Sequence, residues 1–123
     1  MKTATFEKRG LENLKMIDAE KPKISDHDVL INVKLTGVNP LDHIIVSNAV
    51  GVKPMTHTPD AEISGIIDEV GDHVQNLKQG DRVVIYNRIF DGTCDMCLGG
   101  NEMLCRNGSI VGHTTNEGFA EYI

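Results

Sequence analysis

The sequence lacks the features that would place it in a membrane, on a nucleic acid or outside the cell. No apolar stretch approaches the roughly 18 residues of a membrane span, and no charged-then-apolar leader is present. The net charge of −6, with no basic cluster, argues against nucleic acid or an anionic membrane surface as a partner. Cysteine is scarce and odd in number, at three, which is typical of a reducing compartment. We therefore expect a cytoplasmic protein, and 123 residues are one domain in length.

The residue pattern is mainly that of β-structure. The clearest strand covers residues 28–38, where alternate apolar side chains share one face. Pro40 suits the first turn of a short helix through about Ser47, and two Gly-Asp turns frame later strands. The predicted strands are residues 3–7, 14–18, 28–38, 63–70, 82–86 and 118–123. The last of these begins a strand that the sequence stops within.

The three cysteines lie within one glycine- and aspartate-rich loop. Cys94 and Cys97 form a Cys-x2-Cys pair, and Cys105 follows after seven further residues. Three thiolates on a short loop are suited to hold zinc, and a carboxylate oxygen is an acceptable fourth ligand. Asp91 stands three residues before Cys94. We therefore predict one structural zinc bound by Asp91, Cys94, Cys97 and Cys105, in a closed site that does no chemistry.

Two other interpretations of the cysteines remain open. A Cys-x-x-Cys pair can be a redox dithiol, although the third cysteine, the Gly99-Gly100 pair and the absence of a βαβ context favour a metal. Cysteines can also be inert apolar side chains, but cores usually recruit them from scattered strands.

The order of motifs resembles that of a known family. The motifs are Gly37-Val38-Asn39-Pro40-Leu41-Asp42, Pro59-Asp60-Ala61-Glu62-Ile63-Ser64-Gly65, Glu69-Val70-Gly71, Gly80-Asp81-Arg82-Val83, the cysteine loop and Gly118-Phe119-Ala120-Glu121-Tyr122. Together they resemble the N-terminal GroES-like domain of zinc-type alcohol dehydrogenases, in the medium-chain dehydrogenase/reductase superfamily. The resemblance implies a mainly β fold, a partly open β-barrel with short helices, over residues 1–123. It also implies a zinc lobe at about residues 88–112, and a following Rossmann domain in full-length enzymes.

The chain departs from the family at the catalytic positions. Asn39 and Ala61 stand where catalytic-zinc members carry Cys and His ligands, so the resemblance implies no catalytic zinc. Asp42 and Glu62 remain at positions that support the active site in the family. The run around Asn39 looks like that of the quinone and enoyl reductases, in which the Asn lines the nicotinamide pocket. That branch usually lacks the zinc lobe, so the chain combines two family patterns.

Each of these residues also has a simpler interpretation. Asn39 can cap the helix that begins at Pro40, and Asp42 and Glu62 can be solvated or hold a local turn. The five histidines are scattered; His43 and His57 flank the pocket region, but an isolated His there is more often a surface residue.

No Gly-x-Gly-x-x-Gly follows a strand in this sequence, so the pyrophosphate of NAD or NADP has no cradle here. We therefore predict the front part of an alcohol dehydrogenase-like or enoyl or quinone reductase-like oxidoreductase, truncated relative to the full family and inactive by itself. Cofactor and small-molecule substrate would then bind only with a nucleotide-binding domain. The alternative is a free-standing zinc-binding GroES-like assembly module, a pseudo-enzyme.

The resemblance also predicts self-association. Family enzymes complete the barrel with a segment that follows the cofactor domain, so apolar surface around Phe119, Tyr122 and Ile123 is expected to be uncovered. Exposed strand edges recruit other strands. We expect a homo-oligomer, most simply a two-fold dimer formed through this edge or through the zinc lobe.

Overall fold

The computed structural model describes residues 1–48, 56–116 and 118–123. Within them the chain is mainly β-structure with two short α-helices, α1 at Pro40–Asn48 and α2 at Asp95–Leu98. The strands are β1 Lys2–Thr5, β2 Lys15–Asp18, β3 Val29–Thr36, β4 Ile63–Val70, β5 Arg82–Val84, β6 Arg88–Ile89 and β7 Ser109–Ile110. No helix in the described ranges is long and apolar enough to cross a membrane.

All strand pairs are antiparallel. β1 pairs with β2, β4 lies between β3 and β5, and β6 pairs with β7 in the loop region. The β3–β4 register aligns Val29 with Val70 and Thr36 with Ile63. β3 and β4 are the longest strands, at eight residues each, and their pairing places the turn before β3 beside the turn after β4.

Residues 118–123 do not form the regular strand that the sequence predicts. They make isolated bridges at Ala120 and Tyr122 and lie between β1 and β3. Ala4 N–H donates to Phe119 O at 2.7 Å, and Val33 N–H donates to the carbonyl oxygen of Glu121 at 2.9 Å. The segment therefore hydrogen-bonds alternately to its two neighbours, which keeps it irregular. It connects the β1–β2 pair to the β3–β4–β5 sheet through isolated bridges.

This pairing corrects the expected exposure of the same segment. Phe119, Tyr122 and Ile123 are only partly exposed, since β1 and β3 cover the backbone edges around them. Apolar side chains that are more fully exposed lie elsewhere, among them Leu35 and Val84 on the β3–β4–β5 sheet.

The core explains which predicted elements formed. Strand β4 has the predicted bounds, and Ile63 and Ile67 on its inner face are each 1% exposed. Helix α1 starts at Pro40 as predicted and packs Val46 against Phe6. β3 is shorter than predicted, and two register shifts interrupt its alternation. As a result Leu30 and Ile31 are both buried, although they are neighbours in sequence.

Candidate functional site

The predicted metal ligands lie in the loop between β6 and β7. Cys94 immediately precedes α2, Cys97 lies within that helix, and Cys105 follows a 3-10 turn at Glu102–Leu104. Gly100 has a φ of 76°, a left-handed conformation that reverses the chain after α2. The reversal brings Cys105 back toward the Cys-x2-Cys pair.

The loop brings all four predicted ligands together. One ligand atom from each of Asp91, Cys94, Cys97 and Cys105 lies within 4.8 Å of the others. Cys94 Sγ is 3.5 Å from Cys97 Sγ and 3.9 Å from Cys105 Sγ. Two thiolates on one tetrahedral zinc are about 3.8 Å apart, from a Zn–S bond of about 2.3 Å. The donor set and its spacing therefore fit zinc.

The Asp91 carboxylate is fixed by three donors. Its Oδ1 accepts the backbone N–H groups of Thr93 at 2.8 Å and Cys94 at 3.0 Å, and its Oδ2 accepts from Asn107 Nδ2 at 2.6 Å. Backbone N–H of Cys94, followed by that of Thr93 and the Asn107 amide, holds the pKa of Asp91 far below its usual range. Asp91 is thus a carboxylate anion held in a fixed orientation beside the thiols. A carboxylate must be ionised to bind a metal, and Asp91 meets this condition.

The thiols differ in their environments. The backbone N–H of Arg106, and then that of Cys97, lower the pKa of Cys94. Burial, reinforced by the neighbouring thiols, raises the pKa of Cys97 to about 12. Without a metal Cys97 is therefore a neutral thiol, and binding zinc would require it to release its proton. Asp91 N–H also points to Cys105 Sγ at 3.4 Å, where it can stabilise thiolate charge.

An ion pair joins the two halves of this lobe. Arg106 donates from Nε and Nη2 to the two carboxylate oxygens of Asp95, at 2.6 and 2.7 Å. A planar two-bond contact of this kind fixes orientation as well as distance. It holds the start of α2 against the residue that follows Cys105.

Asn39, Asp42 and Glu62 lie together at the junction of β3, α1 and β4. Asp42 Oδ2 accepts the backbone N–H of Asn39 at 2.7 Å, so it is Asp42 that caps the start of α1. Gly37 N–H donates to Glu62 O at 2.9 Å, which joins the two segments. Asp42 is 4% exposed. Burial raises the pKa of Asp42, and the negative charge of Glu62 raises it further. The hydrogen bond from the Asn39 N–H partly opposes this rise.

An open groove of about 480 Å³ runs beside this junction. Ala61 and Glu62 lie at one end, and the exposed side chains of Val84 and Tyr86 form an apolar wall. Ala61 offers no ligand atom. The lining is mainly apolar and carries one carboxylate, that of Glu62.

Asp60 is a buried carboxylate beside this junction to which the sequence analysis gave no role. It is 0% exposed and has a φ of 98°, and it is the one non-glycine residue with positive φ in the described ranges. Its Oδ1 accepts the Glu62 N–H at 2.9 Å, whereas its Oδ2 has no hydrogen-bond partner among the described residues. Burial, with the charges of Asp42 and Glu62, raises the pKa of Asp60 to about 6.

The contacts that surround Asp60 come from far along the chain. A Cβ at Gly118 would clash with the Asp60 side chain, and one at Gly112 would clash with the Asp60 backbone. Only their lack of a side chain allows this approach. A distant pair of glycines beside an Asp gives no local signal, so sequence reasoning had no means to find the site.

The surface interpretation of His57 is wrong. Its ring is 0% exposed, packs edge-on against Phe6 with centroids 5.7 Å apart, and has Nε2 at 2.8 Å from Gly112 O. His43 is exposed, as expected for a surface histidine.

The comparison with known families agrees with this architecture. The family described as "Alcohol dehydrogenase GroES-like domain" matches residues 25–123, which include the groove and the cysteine lobe. The chain belongs to this family.

Relatives of two enzyme types share this domain. An alcohol dehydrogenase from Geobacillus stearothermophilus is 40% identical over 99% of this chain and 36% of its own length. A quinone oxidoreductase from Mus musculus is 39% identical over 80% of this chain and 30% of its own. The structure of a cobalt- and zinc-bound thermostable alcohol dehydrogenase from Pyrobaculum aerophilum superposes with a TM-score of 0.96, at 44% identity, over 100% of this chain and 38% of that one.

The GroES-like fold and the membership of an alcohol dehydrogenase-like oxidoreductase family are thereby confirmed. The chain spans about a third of the length of these relatives, so it corresponds to one part of such enzymes.

Proposed function

We propose that this chain is the substrate-side domain of an NAD(P)-dependent oxidoreductase and that it binds one structural zinc. The observation that carries the zinc proposal is the approach of four ligand atoms to within 4.8 Å in one loop. When bound, the ion would tie the loop together and supply no reaction chemistry. Asp91 would be the anionic oxygen ligand and Cys97 the buried thiolate.

The catalytic proposal rests on what surrounds the groove. Ala61 has no donor atom, and Asn39 offers an amide where a thiolate ligand would be needed, so we propose hydride transfer without a catalytic zinc. Asn39 would lie near the nicotinamide, with its backbone held by the Asp42 carboxylate, which accepts the Asn39 backbone N–H. Because one relative is a quinone oxidoreductase, a conjugated carbonyl compound is the proposed substrate class.

Metal analysis tests the zinc site directly. We expect about one zinc per chain by elemental analysis, because three thiolates and a carboxylate complete a tetrahedron. Cys97→Ser and Asp91→Ala should lose most of it under mild chelation. Glu102→Gln is the matched control, since it changes a carboxylate of the same loop that is not one of the four proposed ligands. A protein without zinc, or equal loss in the control, would contradict the proposal.

The reaction is tested on the polypeptide that carries this domain in the cell. We expect it to reduce quinones or enones with NADH or NADPH and to oxidise simple alcohols poorly. Asn39→Ala should lower kcat, whereas Asn13→Ala, an amide change outside the groove, should not. Efficient alcohol oxidation that zinc chelators abolish would refute the proposal of hydride transfer without a catalytic zinc.

A further inference from the structure

Two exposed imidazole rings meet at the opposite end of the β3–β4 pair from the groove. His27 lies in the turn before β3, and His73 lies in the turn after β4. His73 Nδ1 is 3.2 Å from His27 Nε2, and the ring centroids are 4.7 Å apart with planes inclined by 50°. Both side chains are exposed, and neither contributes to the cysteine lobe or to the groove.

The backbone holds these two turns in fixed relation. Gly71 N–H donates to Asp28 O at 2.9 Å, and His73 N–H donates to Asp26 O at 2.8 Å. A side chain at Gly71 would clash with the backbone of Ser25 and Asp26, so the turns are in direct contact. The Asp28 carboxylate also accepts from Ser25 N–H at 3.0 Å and Oγ at 2.6 Å. The two rings therefore meet because the turns under them are fixed.

The spacing of the ring nitrogens matches a chelate. Two nitrogens bound at about 2.0–2.1 Å to one tetrahedral ion are about 3.3 Å apart. The observed separation of 3.2 Å is close to this value, so the two nitrogens already lie at chelate distance. We propose that His27 and His73 form a two-imidazole binding site for a divalent first-row transition ion, separate from the cysteine lobe.

Binding requires a defined protonation state. The ion takes the lone pairs of His27 Nε2 and His73 Nδ1, so the ring protons sit on His27 Nδ1 and His73 Nε2. In the metal-free protein one of the two facing nitrogens carries the proton of their hydrogen bond, and on metal binding that proton moves to the far nitrogen of the same ring.

The remaining ligand positions fall to water. Within the described ranges, no third His, Cys, Asp or Glu joins the pair in a metal-sized cluster. Asp26, Asp28 and Asp72 are sequence neighbours of the two rings, and the chain carries a net charge of −6, which attracts cations. Imidazole ligands suit nickel, copper and zinc. Such an open site exchanges its ion readily, and a bound ion ties the two turns together and stabilises the folded state.

Nickel is the probe for this site. The protein is first supplied with zinc, so that the thiolates are occupied, and is then titrated with Ni²⁺ by calorimetry. Paramagnetic broadening of histidine ring signals in NMR spectra identifies the bound residues. The variants are His27→Gln and His73→Gln. His43→Gln is the matched control, because it removes an exposed histidine of α1 that lies outside the pair.

Loss of either ring should weaken nickel binding by roughly a hundredfold, because a second tethered ligand gains about 10²–10⁴ in affinity. The control should bind as the unaltered protein does, and the His27 and His73 signals should broaden first. Unchanged affinity in both variants, a loss in only one of them, or initial broadening at other histidines would overturn the proposal. The variants and the control carry the same cysteine lobe, so a difference in nickel affinity between them reports on the histidine pair.

Discussion

Replacing Asp60 by Asn should raise stability at neutral pH and remove a pH-dependent loss. Asp60 is fully buried with Oδ2 unpartnered among the described residues, and its pKa is raised to about 6 by burial and by Asp42 and Glu62. Asn keeps the Oδ1 that accepts the Glu62 N–H and tolerates positive φ. The substitution therefore removes the titrating charge and little else.

The direction of the pH dependence follows from the state, folded or unfolded, in which Asp60 binds its proton more tightly. In the unfolded chain Asp60 titrates near its usual 3.8, whereas in the folded protein it titrates near 6. Between these values the folded state keeps a proton that the unfolded state has released, so stability falls as pH rises. Above pH 6 the ionised Asp60 lowers the free energy of unfolding by at most about 3 kcal/mol. Because the Glu62 charge is exposed and screened by solvent, we expect a loss of about 1–3 kcal/mol.

The assay is urea unfolding of both proteins at several pH values from 4 to 8. The stability difference in favour of Asp60→Asn should be near zero at pH 4 and grow until about pH 6 to 7. Asp60→Gly also removes the charge and relieves the positive φ, but it deletes the Oδ1 that accepts the Glu62 N–H, so its gain should be smaller than that of Asp60→Asn. Parallel pH profiles for the unaltered protein and Asp60→Asn would show that the buried carboxyl is not the source of the dependence.

Four further predictions follow from the same structure. Asp91→Cys should retain zinc at higher chelator concentrations, because thiolate is the softer ligand; equal retention would contradict this. The chain alone should show no saturable NADH or NADPH binding in a fluorescence titration, since it lacks a dinucleotide cradle, and saturation would overturn this. Light scattering at tens of micromolar should give a dimer, because apolar side chains such as Val84 are 80% exposed; a clean monomer would rule it out. Gly65→Ala should lower the urea midpoint of unfolding, because the new methyl group clashes with Asn32 O. Gly80→Ala, whose methyl group meets open space at a φ of 90°, should lower the midpoint only through backbone strain. Equal midpoints for the two variants would refute the clash.

The sequence predicted what depends on short-range pattern. The four proposed metal ligands occupy a loop of fifteen residues, from Asp91 to Cys105, so their spacing alone was enough to bring them together. Strand β4 is rich in β-branched residues and ends at a glycine turn, and its bounds were predicted correctly. Helix α1 begins at Pro40 for an equally local reason.

Features that depend on distant contacts were missed. Asp60 is constrained by Gly112 and Gly118, more than fifty residues away, and His27 meets His73 across 46 residues. The bulges that bury Leu30 beside Ile31 follow from pairing with β4, which a strict alternation does not reveal. Family resemblance supplied the barrel, because no local pattern determines how residues 118–123 pair.

The position of residues 118–123 also sets the order in which this domain can be completed on the ribosome. The β1–β2 hairpin joins β3 through this segment, and Lys2 contacts Glu121 across 119 residues. Docking of the β1–β2 hairpin onto β3 therefore cannot be completed until residues 118–123 have left the exit tunnel. Until then one backbone edge of β1 and one of β3 remain unpaired. Closing so long a loop late makes assembly slow, so a chaperone that shields those edges during synthesis would favour correct folding of this domain.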